Sequence, residues 1–140
     1  IGDMPMEAQS KLLRVLQDKV VEKLGGTRPV QVNVRILAAT NKNLEAAVQH
    51  GEFRLDLYYR LNVFAIFLPP LRKRKEDVPE IAQHILKNLS KRDEKNYSNT
   101  NEAVTALMGC NYPGNIRELE NCIERAAFTA SDGEIKPKDI

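Results

Sequence analysis

The paired prolines Pro69 and Pro70 constrain this chain more than any other feature of its sequence. A proline lacks the backbone N–H that a strand ladder or a helix interior needs, so two in succession end either kind of element. Before them, short helical and extended patterns alternate, whereas helical patterns dominate the sequence after them. We therefore predict two units: residues 1–70 with a layered α/β architecture, and residues 71–140 with a small helical bundle.

The first unit is predicted to mix helices with two kinds of strand. The helical spacing of residues 6–16 places Gln9 on the outward face. Residues 20–24 and 30–34 are predicted to form a hairpin that turns at Gly25 and Gly26. Two nearly continuous apolar runs, residues 34–39 and 63–68, predict strands buried on both faces of a parallel sheet. Short helices are predicted over residues 43–50 and 54–60.

Composition excludes several classes of protein. The chain carries 21 Lys and Arg against 19 Asp and Glu, a net charge of +2 that argues against a broad nucleic-acid-binding surface. Two cysteines cannot build a disulfide framework, and Cys110 and Cys122 lack the spacing of a zinc site, so no metal site is predicted. No apolar run approaches the length of a membrane span. Because the sequence opens at Ile1 without Met, we expect it to be part of a longer protein.

Thr40 and Asn41 directly follow the first buried run. In open α/β sheets, ligands bind beyond the carboxyl ends of strands, where an amide can orient a water molecule or contact a phosphate oxygen. The alternative is that Asn41 caps the next helix, because polar residues after strands commonly do so.

Arg54 and Arg60 flank a short helical pattern, and Arg60 is embedded in apolar and aromatic sequence. A guanidinium in such surroundings needs a partner. An arginine can stabilise charge on a transferring phosphoryl group, in its own chain or in a neighbouring subunit. The alternative is an internal ion pair, for example between Arg60 and Asp56.

Asn115 and Glu118 have the spacing of a capping box at the start of the last long helix. Arg117 then falls in the first helical turn, where a cation opposes the helix dipole. Together with the free backbone N–H groups, it would form a phosphate-facing site. The alternative is that Arg117 pairs with Glu118 or Glu120, or lies over the surface.

Together, five segments resemble the central AAA+ ATPase domain of bacterial sigma-54-dependent transcription activators. They are QSKLLRVLQ at 9–17, VRILAATN at 34–41, GEFRLDLYYRLNV at 51–63, LPPLRKR at 68–74 and YPGNIRELEN at 112–121. Tyr112 stands where the family usually has Trp. The resemblance implies a partial P-loop-type α/β core in residues 1–70 and a helical lid in residues 71–140. It also likens the Gly25–Gly26 hairpin to an insertion near the pore of the family's ring.

The resemblance assigns a role to each candidate residue. It implies that Asn41 is sensor I, with Thr40 beside it, and that Arg54 and Arg60 are arginine fingers acting on a neighbour's nucleotide. Arg117 would be sensor II, with Asn115 beside it at the nucleotide.

For the whole protein, the resemblance implies ATP with Mg as cofactor and self-association into a ring, expected to be a hexamer. The implied partner is sigma-54 RNA polymerase holoenzyme in the cytoplasm. DNA would be contacted only through a separate domain, and no membrane is involved.

Several hallmarks of the family do not occur in these residues: the Walker A loop, the Walker B Asp-Glu pair, the Gly-Ala-Phe-Thr-Gly-Ala loop and a DNA-reading helix-turn-helix. We therefore expect the isolated chain to be inactive as an ATPase, although the parent protein would hydrolyse ATP. Two alternatives stay open: a non-catalytic assembly or binding fragment, and another AAA+ branch such as a clamp-loader or helicase-loader subunit. An incomplete sheet would expose Ile36, Leu37 and Ile66.

Overall fold

In a computed structural model, the chain divides into two compact units, residues 1–66 and 67–140. The structure describes residues 1–23, 25–26, 28–130 and 132–140. Helices and short strands both occur in this part of the chain, which confirms the mixed α/β class. None of its helices is long and apolar enough to cross a membrane.

The described residues of the first unit form three helices and one hairpin. The helices are α1 (Met6–Asp18), α2 (Leu44–Gln49) and α3 (Leu55–Leu61); the strands are β1 (Val20–Glu22) and β2 (Pro29–Gln31). The two strands pair antiparallel with Val21 opposite Val30, so the predicted hairpin is confirmed. Leu24, which the prediction included, and Thr27 lie outside the described residues.

The buried apolar cluster of the first unit is small. Its buried members are Leu13 from α1, Ala47 from α2, Phe53 just before α3 and Leu57 within α3. Gln9, predicted to face outward, has no exposed surface at all. That prediction was wrong because Gln9 lies four residues before Leu13, on the buried face of α1, where backbone groups satisfy its amide.

The two buried strands predicted at residues 34–39 and 63–68 do not form. Leu37 is 87% exposed and Phe64 is 85% exposed. Other apolar side chains of the two runs are exposed as well, among them Ile36 at 41% and Phe67 at 92%. A strand leaves its backbone N–H and C=O groups to be paired by neighbouring strands, and no described strand pairs with either run. The expected exposure of Ile36, Leu37 and Ile66 is confirmed.

The second unit is mainly helical. Its helices are α4 (Val78–Asp93), α5 (Asn101–Gly109) and α6 (Asn115–Thr129), and its strands are β3 (Ser98–Asn99) and β4 (Glu134–Ile135). Single 3₁₀ turns span Leu71–Lys73, Lys75–Asp77 and Pro137–Asp139. The two strands form a short parallel pair with Ser98 opposite Glu134.

The predicted helical bundle encloses an apolar core. Val78, Ile85 and Leu89 of α4 are buried in it, as are Leu119, Ile123 and Ala126 of α6. Ile116, by contrast, is 39% exposed. It lies in the first turn of α6, which lines an open cleft instead of the core.

Candidate functional site

Arg54 stands immediately before α3 and is held by two side chains. Its Nε and Nη2 atoms donate to the two carboxylate oxygens of Asp56 at 2.9 and 2.7 Å. Its Nη1 atom donates to Ser10 Oγ at 3.2 Å. The guanidinium hydrogen bonds hold the pKa of Asp56 below its ordinary value. The predicted ion pair with Asp56 is therefore made by Arg54 and not by Arg60.

The backbone of Arg54 is fixed as well as its side chain. Its N–H donates to Gln9 Oε1 at 2.8 Å. The Nε2 atom of Gln9 donates to the carbonyl oxygens of Met4 and Glu52 at 2.8 and 3.0 Å. The side chain of Gln9 thus ties the segment leading into α3 to α1.

Arg60 lies in the last turn of α3 and is exposed. Its Nη2 atom donates to the carbonyl oxygen of Leu16 at 3.3 Å, and no carboxylate of the described chain lies within ion-pair distance. Arg60 is exposed although apolar and aromatic residues surround it in the sequence, because neighbours such as Leu55 and Tyr59 are themselves exposed. Its guanidinium is therefore available to an external anion.

Thr40 and Asn41 lie in an exposed bend between the first apolar run and α2. Thr40 Oγ1 accepts from the Lys42 backbone N–H at 3.1 Å. The helix cap is Asn43, whose Oδ1 accepts from the Ala46 N–H at 2.9 Å. The capping alternative for Asn41 is therefore wrong, and the structure gives the exposed Asn41 amide no hydrogen-bond partner in the described chain.

Asn115 does not form the predicted capping box. Its Oδ1 accepts from the Leu71 backbone N–H at 2.9 Å, so it joins the start of α6 to the 3₁₀ turn that opens the second unit. Its φ of +55° is a left-handed conformation that asparagine tolerates better than most residues. The carboxylate of Glu118 accepts from the Gly114 N–H at 2.7 Å and so satisfies one free donor of the helix start.

Arg117 is exposed in the first turn of α6, and no ion pair with Glu118, Glu120 or another carboxylate occurs within the described residues. It lines an open cleft of about 420 Å³ together with Pro69, Pro70 and Arg74. The Nε atom of Arg74 is buried and has no hydrogen-bond partner in the described part of the chain. The guanidinium of Arg74 is paired through Nη1 with Asp77 at 3.5 Å. The cleft therefore presents the guanidinium of Arg117 beside a helix N-terminus, a combination that suits an anionic ligand.

Sequence reasoning missed Gln9 and Ser10, which hold Arg54 from α1. The spacing that could have found Gln9 is its distance of four residues from Leu13, which puts both on one helix face. A polar amide on an apolar face predicts a buried hydrogen-bonding role. The bonds to Met4, Glu52 and Arg54 join residues far apart in sequence, and no local pattern shows them.

Two known families match this chain. Residues 1–67 match the family model of the sigma-54 interaction domain, and residues 72–140 match that of the AAA+ ATPase lid domain. The chain belongs to the AAA+ family of sigma-54 activators.

Relatives of this chain include Nif-specific regulatory proteins. That of Azotobacter vinelandii is 50% identical over 135 residues, 96% of this chain and 26% of the relative. That of Rhizobium leguminosarum bv. trifolii is 49% identical over 140 residues, all of this chain and 40% of the relative. The chain thus spans less than half the length of these relatives.

Solved structures of NtrX from Brucella abortus share the fold of this chain. The complex with ADP has a TM-score of 0.81 and 34% identity, covering 100% of this chain and 33% of NtrX. The complex with ATP has a TM-score of 0.81 and 35% identity over the same share of this chain and 34% of NtrX.

Proposed function

We propose that this chain supplies the arginine-finger, sensor I and sensor II residues of an ATP-hydrolysing transcription activator that remodels sigma-54 RNA polymerase holoenzyme to allow promoter opening. The observation that carries the proposal is the pair of guanidinium groups at the two ends of α3. Arg54 is fixed in place by Gln9, Ser10 and Asp56, while Arg60 is exposed with one backbone partner. The match to the sigma-54 interaction domain favours this activator over a clamp-loader or helicase-loader subunit.

The two arginines would act on the nucleotide of a neighbouring subunit in a ring, which we propose is a hexamer. ATP, when bound, supplies the γ-phosphoryl group, whose developing negative charge a guanidinium stabilises. Arginine fingers of this kind are worth about 10³–10⁵ in rate. Arg60 needs to break only one bond, at 3.3 Å to a carbonyl oxygen, to reach such a group.

The cleft of the second unit would hold the nucleotide of its own subunit, as the NtrX complexes with ADP and ATP suggest by analogy. Arg117, which lines the cleft at the start of α6, fits an anion there. The oxygen of the Asn115 amide is used by the Leu71 N–H, so Asn115 contributes chiefly by fixing the start of α6. Within the described chain no group of three or more His, Cys, Asp or Glu side chains could hold a metal ion, so we assign Mg no ligand from it.

Asn41 would serve as sensor I, with Thr40 beside it. The Asn41 amide is exposed, and the cap of α2 is supplied by Asn43 instead. It is therefore available to contact a phosphate oxygen or a water molecule, and to pass the presence of the γ-phosphate toward the sigma-contacting loops.

A second candidate function applies to the isolated chain, which we propose associates with other chains but does not hydrolyse ATP. The exposed apolar side chains of Leu37 and Phe64 favour association. Negligible ATP turnover by the purified 140 residues is expected, because no P-loop occurs in them. Robust turnover would contradict this second proposal.

The main proposal is tested by Arg60→Ala in the complete module that carries this chain. We expect kcat for ATP hydrolysis to fall by about 10³-fold or more at saturating protein, because charge on the transferring group loses its cation. Arg14→Ala, a change of another exposed arginine of the first unit, is the matched control and should leave kcat unaltered. An Arg60→Ala enzyme with wild-type kcat would rule out the arginine-finger role of Arg60.

A further inference from the structure

We infer that Gln9 is a positioning residue for Arg54, which it aligns for phosphoryl transfer by fixing the backbone that carries it. The inference rests on the proposed arginine-finger role of Arg54. Gln9 has no exposed surface, and it is the one buried polar residue in the described chain. The hydrogen bonds of its side chain all go to backbone groups, which lie just before α1 or just before α3.

Each N–H donor of the Gln9 amide has an acceptor in the structure, and its oxygen has a donor. Its NH₂ has two donors, and these meet two carbonyl oxygens, those of Met4 and Glu52, at 2.8 and 3.0 Å. Its oxygen meets one donor, the Arg54 N–H, at 2.8 Å. Rotating the amide by half a turn would place its oxygen against two acceptors and its nitrogen against a donor, so only one orientation is compatible with the network.

No other side chain of similar size fits these three partners. A glutamate carboxylate would offer acceptors to the carbonyl oxygens of Met4 and Glu52, which are themselves acceptors. A leucine would leave two carbonyl groups and the Arg54 N–H without partners in a buried place, which is costly. An asparagine keeps the amide, but its shorter stem cannot reach all three groups from the same helical position.

The contacts of Gln9 and those of the Arg54 side chain have different consequences. Ser10 and Asp56 hold the guanidinium at an exposed site, where bonds can exchange for a phosphate. Gln9 holds the main chain of residues 52–54 from inside the unit, so its bonds persist when the guanidinium moves. A displacement of about 1 Å in a catalytic group can cost up to about 10²-fold in rate. Loss of the Gln9 network should therefore lower kcat without changing the affinity of the nucleotide site.

The test is a double-mutant cycle in the complete module with Gln9→Leu, Arg54→Ala and the double variant. We expect Gln9→Leu to lower kcat by about 10-fold to 10²-fold with an unchanged KM for ATP. We also expect no further loss when it is added to Arg54→Ala. Gln17→Leu, an exposed glutamine on the same helix, is the control for the apolar substitution. If the leucine variant fails to fold, Gln9→Asn replaces it in the double-mutant cycle. Melting temperatures are recorded for every variant.

The outcomes separate the two proposals. Suppose that Arg54→Ala lowers kcat, and that Gln9→Leu or Gln9→Asn lowers kcat by the same factor in the Arg54→Ala variant as in the wild type. That result would overturn the positioning role and leave the arginine finger intact. A wild-type kcat for Arg54→Ala would instead overturn the catalytic role of Arg54, and the positioning inference with it. A raised KM with unaltered kcat in the Gln9 variants would also overturn the inference, because it would assign Gln9 to nucleotide binding.

Discussion

The two units of this chain bury their apolar side chains to very different extents. Among the described residues of 67–140, helices α4, α5 and α6 contribute to a cluster of fourteen buried apolar residues, including Leu107 and Leu119 with 2% and 0% exposure. Among those of 1–66, the cluster has four buried residues, and the apolar run that contains Leu37 is exposed. Both regions have ample apolar sequence, so hydrophobicity alone does not explain the difference.

The difference follows from where each kind of element finds its hydrogen bonds. A helix pairs its backbone groups within itself, so three helices can close around a core without other chain segments. A sheet strand depends on its neighbours for those bonds, and runs 34–39 and 63–68 have no strand partner within the described residues. The second unit thus builds its core from its own helices, whereas the first contains two strand-like runs that belong to no described sheet.

The largest expected effect comes from deleting a core side chain of the second unit. Leu119→Ala should lower the free energy of unfolding by about 2–5 kcal/mol, because it removes buried contacts and leaves a cavity. Leu119 has no exposed surface. The measurement is native-state hydrogen exchange of the α6 amides, which reports the stability of this unit separately from the other.

Phe128→Ala is the matched control for Leu119→Ala, because Phe128 lies on the same helix and is 91% exposed. Its effect should stay within about 0.5 kcal/mol. Similar losses of stability from both substitutions would contradict the structure, in which Leu119 lies on the buried face of α6 and Phe128 on the exposed face.

The contrast between the units also explains which elements the sequence predicted well. Helical spacing identified α1 and the helical character of residues 71–140, since the period of a helix is set by local geometry. The β1–β2 hairpin was predicted because Gly25 and Gly26 mark its turn locally. The runs 34–39 and 63–68 have strand-like composition, but forming a strand requires partners that no local pattern reveals.

The candidate site divides in the same way. The sequence singled out Arg54, Arg60, Asn41 and Arg117 because charged or amide groups stood out against their neighbours, and their roles stay predictions. It did not predict that Gln9 would fix the backbone of Arg54. Nor did it predict that Asn115 would bind the Leu71 N–H, a contact across 44 positions of sequence. Long-range hydrogen bonds of this kind depend on tertiary packing.

An intermediate effect is expected at Tyr112, a buried residue of the second unit. Its hydroxyl donates to the carbonyl oxygen of Leu107 at 2.8 Å. Tyr112→Phe should lower the free energy of unfolding by about 0.5–1.5 kcal/mol, since it removes this bond but keeps the ring in the core. Hydrogen exchange of the α5 and α6 amides measures the change.

The same variant tests a dependence on pH. Burial raises the pKa of the Tyr112 hydroxyl above its ordinary value of 10.0. A raised pKa means that the folded state keeps its proton where the unfolded chain loses it. The stabilisation from Tyr112 is therefore complete below pH 10.0 and is lost as pH rises from there. The stability difference between wild type and Tyr112→Phe should narrow above that pH, and a constant difference would contradict a buried, protonated hydroxyl.

The smallest effect is expected at Leu37, and this substitution tests the contrast between the two units directly. Leu37→Ala in the 140-residue chain should change the stability of the first unit by less than about 0.5 kcal/mol, because the side chain is 87% exposed. Leu57→Ala, in the same unit but with no exposed surface, should cost about 2–5 kcal/mol and serves as the reference. Hydrogen exchange of the α2 and α3 amides measures both. A loss at Leu37 equal to that at Leu57 would mean that residues 34–39 pack as a strand in solution, and the contrast between the units would then fail. Leu37→Ala could leave the stability of this chain unchanged but lower that of the complete module by several kcal/mol. In that case the partner strands lie in the rest of the protein, and residues 34–39 form a sheet strand when those partners are present.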